Sequence, residues 1–250
     1  GNRATDKTGT AIFGGGGFAY TPTVSGDSEK VTYISPRWNG FQAGLSFTGD
    51  NSEDAAVGQV NAKGGTFIGM PLDNRVGLTQ NVVEMALNYE GRVGPVKLVA
   101  AVTYGHADVE ARTGMANLDG DFNEVTAGFL AEYAGFDVGF GYYWTDSGLT
   151  RNGDRDIYYA TLGYRWSAFR VGFSYTSVSQ EAGTTTAVNS GMRDDTFERY
   201  AFGGTYAYGP GMELRASVHI HNLDGPDNSN SPTNDRNASI FFVIGTVVNF

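Results

Sequence analysis

Apolar and polar residues alternate one by one along most of this chain, and the three-to-four spacing of a helix is nearly absent. From Met212 to Asn222 the positions Met212, Leu214, Ala216, Val218 and Ile220 are apolar, while Glu213, Arg215, Ser217, His219 and His221 lie between them. Phe136, Val138, Phe140, Tyr142 and Trp144 are likewise separated by Asp137, Gly139, Gly141 and Tyr143. Tyr158, Ala160, Leu162, Tyr164 and Trp166 repeat the pattern against Tyr159, Thr161, Gly163 and Arg165. A period of two sends successive side chains to opposite faces of a strand. The pattern predicts eleven strands, at 29–36, 38–48, 82–91, 96–106, 124–134, 136–146, 156–166, 168–178, 196–208, 211–222 and 237–250. Short connections (around 36–40, 91–95, 134–136, 166–169 and 208–211) alternate with long ones (49–81, 107–123, 147–155, 179–195 and 223–236). Tight turns therefore gather at one end of the strands and long loops at the other.

Composition narrows the class. The 250 residues include 36 Gly, 16 Phe, 14 Tyr and 3 Trp but no Cys. Glycine without a three-residue period excludes collagen, and so many aromatics exclude disorder. No window approaches 18 apolar residues, so a transmembrane helix is excluded, whereas segments of about ten residues suit tilted strands crossing a bilayer. The first residues lack the apolar core of a signal peptide, which is expected to have been removed or to lie outside this sequence. The absence of cysteine permits an extracytoplasmic location. A net charge of −10 argues against nucleic acid as a partner. Much of the acid sits in the long loops and the strand ends beside them, as at Asp119, Asp146, Asp194 and Asp227.

The placement of aromatics separates a membrane barrel from a soluble all-β domain. Tyr33, Phe47, Tyr89, Tyr104, Tyr133, Phe136, Trp144, Trp166, Phe169, Tyr175, Tyr208 and Phe250 lie near strand ends on the apolar face, as two interfacial girdles would. The other face, rich in Gly, Ser, Thr, Asn, Glu and Arg, is too polar and too small to fill a dry core, and suits a water-filled lumen. The expected fold is all-β: a transmembrane antiparallel β-barrel.

Two segments resemble a known family. The stretch KVTYISPRWNGFQAGLSF at 30–47 resembles the strand, turn and strand that follow the constriction loop in general diffusion porins of Gram-negative bacteria. The end of the chain, with Phe250 last and Val248, Ile244 and Phe242 at alternating positions before it, is similar to the family's assembly signal; Thr246 departs from it. The resemblance covers roughly residues 29 to 250 and implies a sixteen-stranded trimeric barrel in which 29–250 supplies the last eleven strands. An even strand count then places about five more strands, roughly 100 residues, ahead of this sequence. It also implies that residues 1–28, with Phe13, Gly14, Gly15, Gly16, Gly17 and Phe18, form the inward constriction loop. By the residues alone this segment can equally be a twelfth strand at 10–22, which gives a complete small barrel acting as a translocator or a barrel enzyme.

The register turns Lys97, Arg165, Arg170, Arg199 and Arg215 inward, with His219 higher on its strand. Charges in a narrow aqueous passage select ions because field lines focus there. Arg165 and Arg170 flank a short turn and can instead sit in the periplasmic mouth, which leaves Arg199 and Arg215 as the better pore candidates. Glu84, Glu90, Glu124, Glu132, Asp137 and Glu213 face the same way and can form an opposing wall or pair locally. The acids of 117–124 lack the spacing of a calcium loop, and no metal or cofactor is expected. His106, His219 and His221 are the only imidazoles, and nothing in sequence sets a serine beside either inward histidine, so no catalysis is expected. The expected protein is an outer-membrane porin passing small hydrophilic solutes and ions, with outer-membrane lipid, lipopolysaccharide and two further copies of itself as partners.

Overall fold

The computed structural model describes Ser25 and residues 29–50, 57–60, 66–68, 79–109, 121–146, 154–180, 195–224 and 236–248. All regular structure among them is strand: β1 (Val31–Ile34), β2 (Phe41–Asp50), β3 (Val57–Val60), β4 (Thr66–Ile68), β5 (Thr79–Val93), β6 (Val96–Val109), β7 (Asp121–Tyr133), β8 (Phe136–Thr145), β9 (Arg155–Trp166), β10 (Phe169–Gln180), β11 (Asp195–Gly209), β12 (Met212–Asp224) and β13 (Arg236–Val248). Eleven of them form one antiparallel sheet in the order β1-β2-β5-β6-β7-β8-β9-β10-β11-β12-β13, matching the eleven predicted segments one for one. β3 and β4 form a separate two-stranded hairpin inside 49–81, which the sequence reading takes as one long loop. These runs of four and three residues are too short for a period of two to stand out. The constriction-loop residues Phe13 to Phe18, the alternative strand at 10–22, and Phe250 lie outside the described residues.

The short connections are tight because the backbone takes left-handed conformations there. Tyr133 pairs with Phe136 across a two-residue turn in which Ala134 and Gly135 have φ of 50° and 87°. Positive φ at both central positions matches the twist of the flanking strands. Glycine at the second position meets that demand without a Cβ penalty.

Ladder registers divide the sheet into two faces. One carries Phe136, Val138, Phe140, Leu162, Phe173, Phe202, Ile220 and Phe242, all exposed. Its rings gather in two bands. Near the turns Phe136 meets Tyr164 at 4.4 Å, Trp166 stacks on Phe169 at 5.6 Å, and Phe169 stacks on Tyr206 at 4.6 Å. Near the loops Tyr142 meets Tyr158, and Tyr175 meets Tyr200, at 5.0 Å each. Three hydroxyls of the loop-side band donate across to the next strand: Tyr104 to Asn123, Tyr142 to Asp156 and Tyr175 to Glu198, at 2.7–2.8 Å. An apolar surface rimmed by amphipathic rings at both ends is the profile a bilayer requires.

The opposite face is the sheltered one, and it is not uniformly small and polar. At its loop end Tyr143, Ile157, Val178, Phe197 and Leu223 line up on consecutive strands and are buried together. Val82 and Ala107 form a second dry cluster with Phe122 against it. Lumen-facing positions were expected to be small or polar along the whole strand; the character of one face instead changes along its length, from charged near the turns to apolar near the loops.

Candidate permeation surface

All the predicted inward charges lie on the sheltered face, and most of them fall into ion pairs. Lys97 is directly opposite Glu132, with Nζ 3.7 Å from the carboxylate. Arg170 Nη2 donates to Asp137 Oδ2 at 3.0 Å, reaching over β9 at Gly163. A Cβ at Gly163 would run into the Asp137 carboxyl, so glycine opens the route between strands that are not neighbours. Arg215 donates through Nε and Nη2 to Glu213 Oε2, at 3.1 and 2.8 Å. At the far side of the sheet Arg37 lies 4.0 Å from Glu90. The arginine and lysine side chains of these pairs keep 39–56% of their surface accessible, so the pairs are wet and each is worth little stability.

Sequence reasoning groups Arg199 with Arg215, and the ladders separate them. Arg215 pairs with Thr205 of β11, six residues along the strand from Arg199, roughly 20 Å. Arg215 instead shares a rung with Arg170 and Arg165, because Thr205 is also opposite Arg170, and Arg170 is opposite Arg165. Three guanidiniums across β9 to β12 thus form a basic rung near the turns, partly offset by Asp137 and Glu213. Membership of a rung depends on the stagger between strands, which residue spacing along one strand does not contain.

Arg199 stands near the dry rung, opposite Thr176 and His221. Its Nη2 donates to Thr176 Oγ1 at 3.2 Å, and its buried Nε has no hydrogen-bond partner among the described residues. His221 Nε2 and the hydroxyls of Thr48, Thr103 and Thr126 are also buried without a hydrogen-bond partner among the described residues, and all lie on this face. Glu124 is buried there too, accepting a hydrogen bond from Tyr143 Oη at 3.2 Å. Between the basic rung and Arg199, a groove of about 570 Å³ runs along Gly139, Thr161, Gly172, Ser174 and Gly203. Ser25 is buried on the same face, donating to Glu84 Oε2 and accepting from Lys30 Nζ, both at 2.6 Å.

The structure does set a serine beside an inward histidine: Ser217 Oγ lies 2.9 Å from His219 Nε2. The two are neighbours on one face of β12 by the period of two, so the spacing was visible in the sequence. No carboxylate orients His219 among the described residues, the third group of a nucleophile–base–acid triad.

Comparison with solved structures finds outer-membrane proteins of Vibrio cholerae. The in-vitro folded, trimeric form of OmpT aligns with a TM-score of 0.51 and 14% identity over 88% of this chain and 64% of that one. OmpT expressed in the outer membrane aligns at 0.49 and 16% identity, with the same coverages. The chain thus spans less than two thirds of the length of these structures, and at such identity the likeness speaks for the fold alone. Comparison with curated protein sequences gives no match. The sequence profile of Gram-negative porins matches residues 2–226, which takes in every strand from β1 to β12. The girdled apolar face and the wet, charged face opposite it are what such a profile demands of a wall: the chain belongs to the Gram-negative porin family, and its place is the outer membrane.

Proposed function

We propose that this sheet is part of the wall of a water-filled channel through which small hydrophilic solutes and ions diffuse passively, with no chemistry performed. One observation carries the reading: among the described residues, the accessible lysine–carboxylate and arginine–carboxylate pairs all lie on the face opposite the lipid-type face. Ser25 is buried on this face against Glu84. Phe242 and Ile244, largely exposed on the lipid-type face of β13, support contact with further copies in a homotrimer.

Planar-bilayer recording of the purified protein tests this reading. Discrete, voltage-tolerant conductance steps are expected, together with swelling of liposomes in small sugars. A bilayer that stays sealed when the folded, heat-modifiable protein is incorporated would overturn it.

A further inference from the structure

At the loop end of β6 and β7, the lipid-type face carries three side chains of another kind. One ligand atom from each of His106, Asp108 and Asp121 lies within 4.8 Å of the others. The period of two puts His106 and Asp108 on one face of β6, and Asp108 is the direct cross-strand partner of Asp121. Carboxylates directly opposite one another repel. Neither forms an ion pair with lysine or arginine among the described residues; the His106 ring stands beside them, its Nε2 3.9 Å from Asp108 Oδ1.

The surrounding hydrogen bonds decide which nitrogen of His106 is available. Asn123 donates from its backbone N to Asp146 Oδ1 at 2.7 Å and from Nδ2 to Asp146 Oδ2 at 2.9 Å. That grip turns the Asn123 carboxamide oxygen toward β6, where it accepts the Tyr104 hydroxyl at 2.8 Å. Against the same oxygen, 3.0 Å away, His106 Nδ1 has to be the donor. In the neutral ring the lone pair is then on Nε2, facing the carboxylates. Asn81 Nδ2 holds the other oxygen of Asp108 at 2.8 Å, which fixes that side chain as well. A lone pair turned toward two carboxylates calls for a proton or a metal ion between them.

We propose that His106 Nε2, Asp108 and Asp121 form a divalent metal site on the outward rim of the barrel wall, of the type that takes Zn²⁺. One imidazole and two carboxylates suit this borderline-soft ion, and the ring's second nitrogen is oriented by an outer partner, as in most histidine metal sites. The His106 and Asp108 side chains keep 37% and 43% of their surface accessible, so an ion can reach them from water. The other pair of histidines, His219 and His221, has ring centroids 6.3 Å apart with Arg199 on the same rung, which opposes a cation there.

The test uses the whole purified protein in detergent, stripped with a chelator and titrated with Zn²⁺ by calorimetry and with Co²⁺ by visible absorption. One saturable site is expected, weakened about tenfold or more by His106→Ala and by Asp121→Asn, and also weakened by the positioning change Asn123→Ala. The paired change His219→Ala with His221→Ala should leave the affinity unaltered. Retained heat-modifiable migration shows that each variant is folded. No saturable binding by the parent, which is the result if a proton alone occupies Nε2, would overturn the proposal. Binding that survives His106→Ala, or that disappears with the inner histidines, would overturn it too. Conductance plays no part in the readout, so the outcome is independent of the permeation reading.

Discussion

The two ends of the sheltered face obey the same alternation and do opposite things. Near the turns, Arg165, Arg170 and Arg215 share a rung with Asp137 and Glu213 beside them, the arginines of the two ion pairs staying about half accessible. Near the loops, Ile157, Val178 and Phe197 are buried almost completely, and Arg199 and Glu124 sit at the margin of that dry patch. Inward orientation does not by itself make a residue pore-lining. Volume and neighbours decide whether water reaches it, so charge meets water at the turn end while packing holds the wall together at the loop end.

The strongest way to break this contrast is at Phe197. Phe197→Ala empties a packed rung and is expected to cost about 3–5 kcal/mol, seen as an earlier onset of unfolded migration on heating, with single-channel conductance unchanged. A conductance change without loss of stability would mean that the loop end is wet. On the opposite face, Ala216→Arg puts a charge midway between the two aromatic bands and is expected to cost about 2–4 kcal/mol in a bilayer. Tolerance of that change would remove Ala216 from contact with lipid.

Gly163→Ala sharpens the comparison at the turn end. The new methyl occupies the place of the Asp137 carboxyl, so about 1–3 kcal/mol should be lost together with the Asp137–Arg170 contact. Reversal potentials in a salt gradient should move toward anions as Asp137 swings away from Arg170. The smallest effects are expected from charge removal. Arg165→Ala with Arg215→Ala should shift reversal potentials toward cations with less than about 1 kcal/mol lost, and Arg199→Ala should shift them less. A larger shift from Arg199→Ala would transfer selectivity to the loop end. Strong cation selectivity unaltered by either variant would assign it to the acidic loops.

Strands and facing were legible because membrane walls are written in a period of two. Phe136 to Trp144 and Met212 to Ile220 alternate without a break, and every inward charge inferred from them lies on the sheltered face. Relations between strands were not legible. Nothing along β12 says that Arg215 stands level with Arg165 rather than with Arg199, because stagger is a property of pairs of strands. Asp108 and Asp121 belong to different segments, and only the register that follows their loop sets them face to face. The apolar rung was missed for another reason: Ile157, Val178 and Phe197 obey the alternation, but their side-chain type contradicts the face they occupy, and the pattern was read by majority.

The contrast between two-residue turns and long loops has a consequence for how such a wall is made. Closing a loop costs entropy that rises by about 0.6 kcal/mol for each doubling of its length. The pairs β7 with β8 and β9 with β10 are joined by two-residue links, whereas β8 with β9 and β10 with β11 must close longer ones. Pairing should therefore proceed in hairpins, zipped from the turn side upward, which later dock edge to edge. In a pulse-labelling experiment during refolding into bilayers, amides between β7 and β8 should gain protection before those between β8 and β9. The chain's punctuation would then act as a timetable, with the tight turns marking the steps taken first.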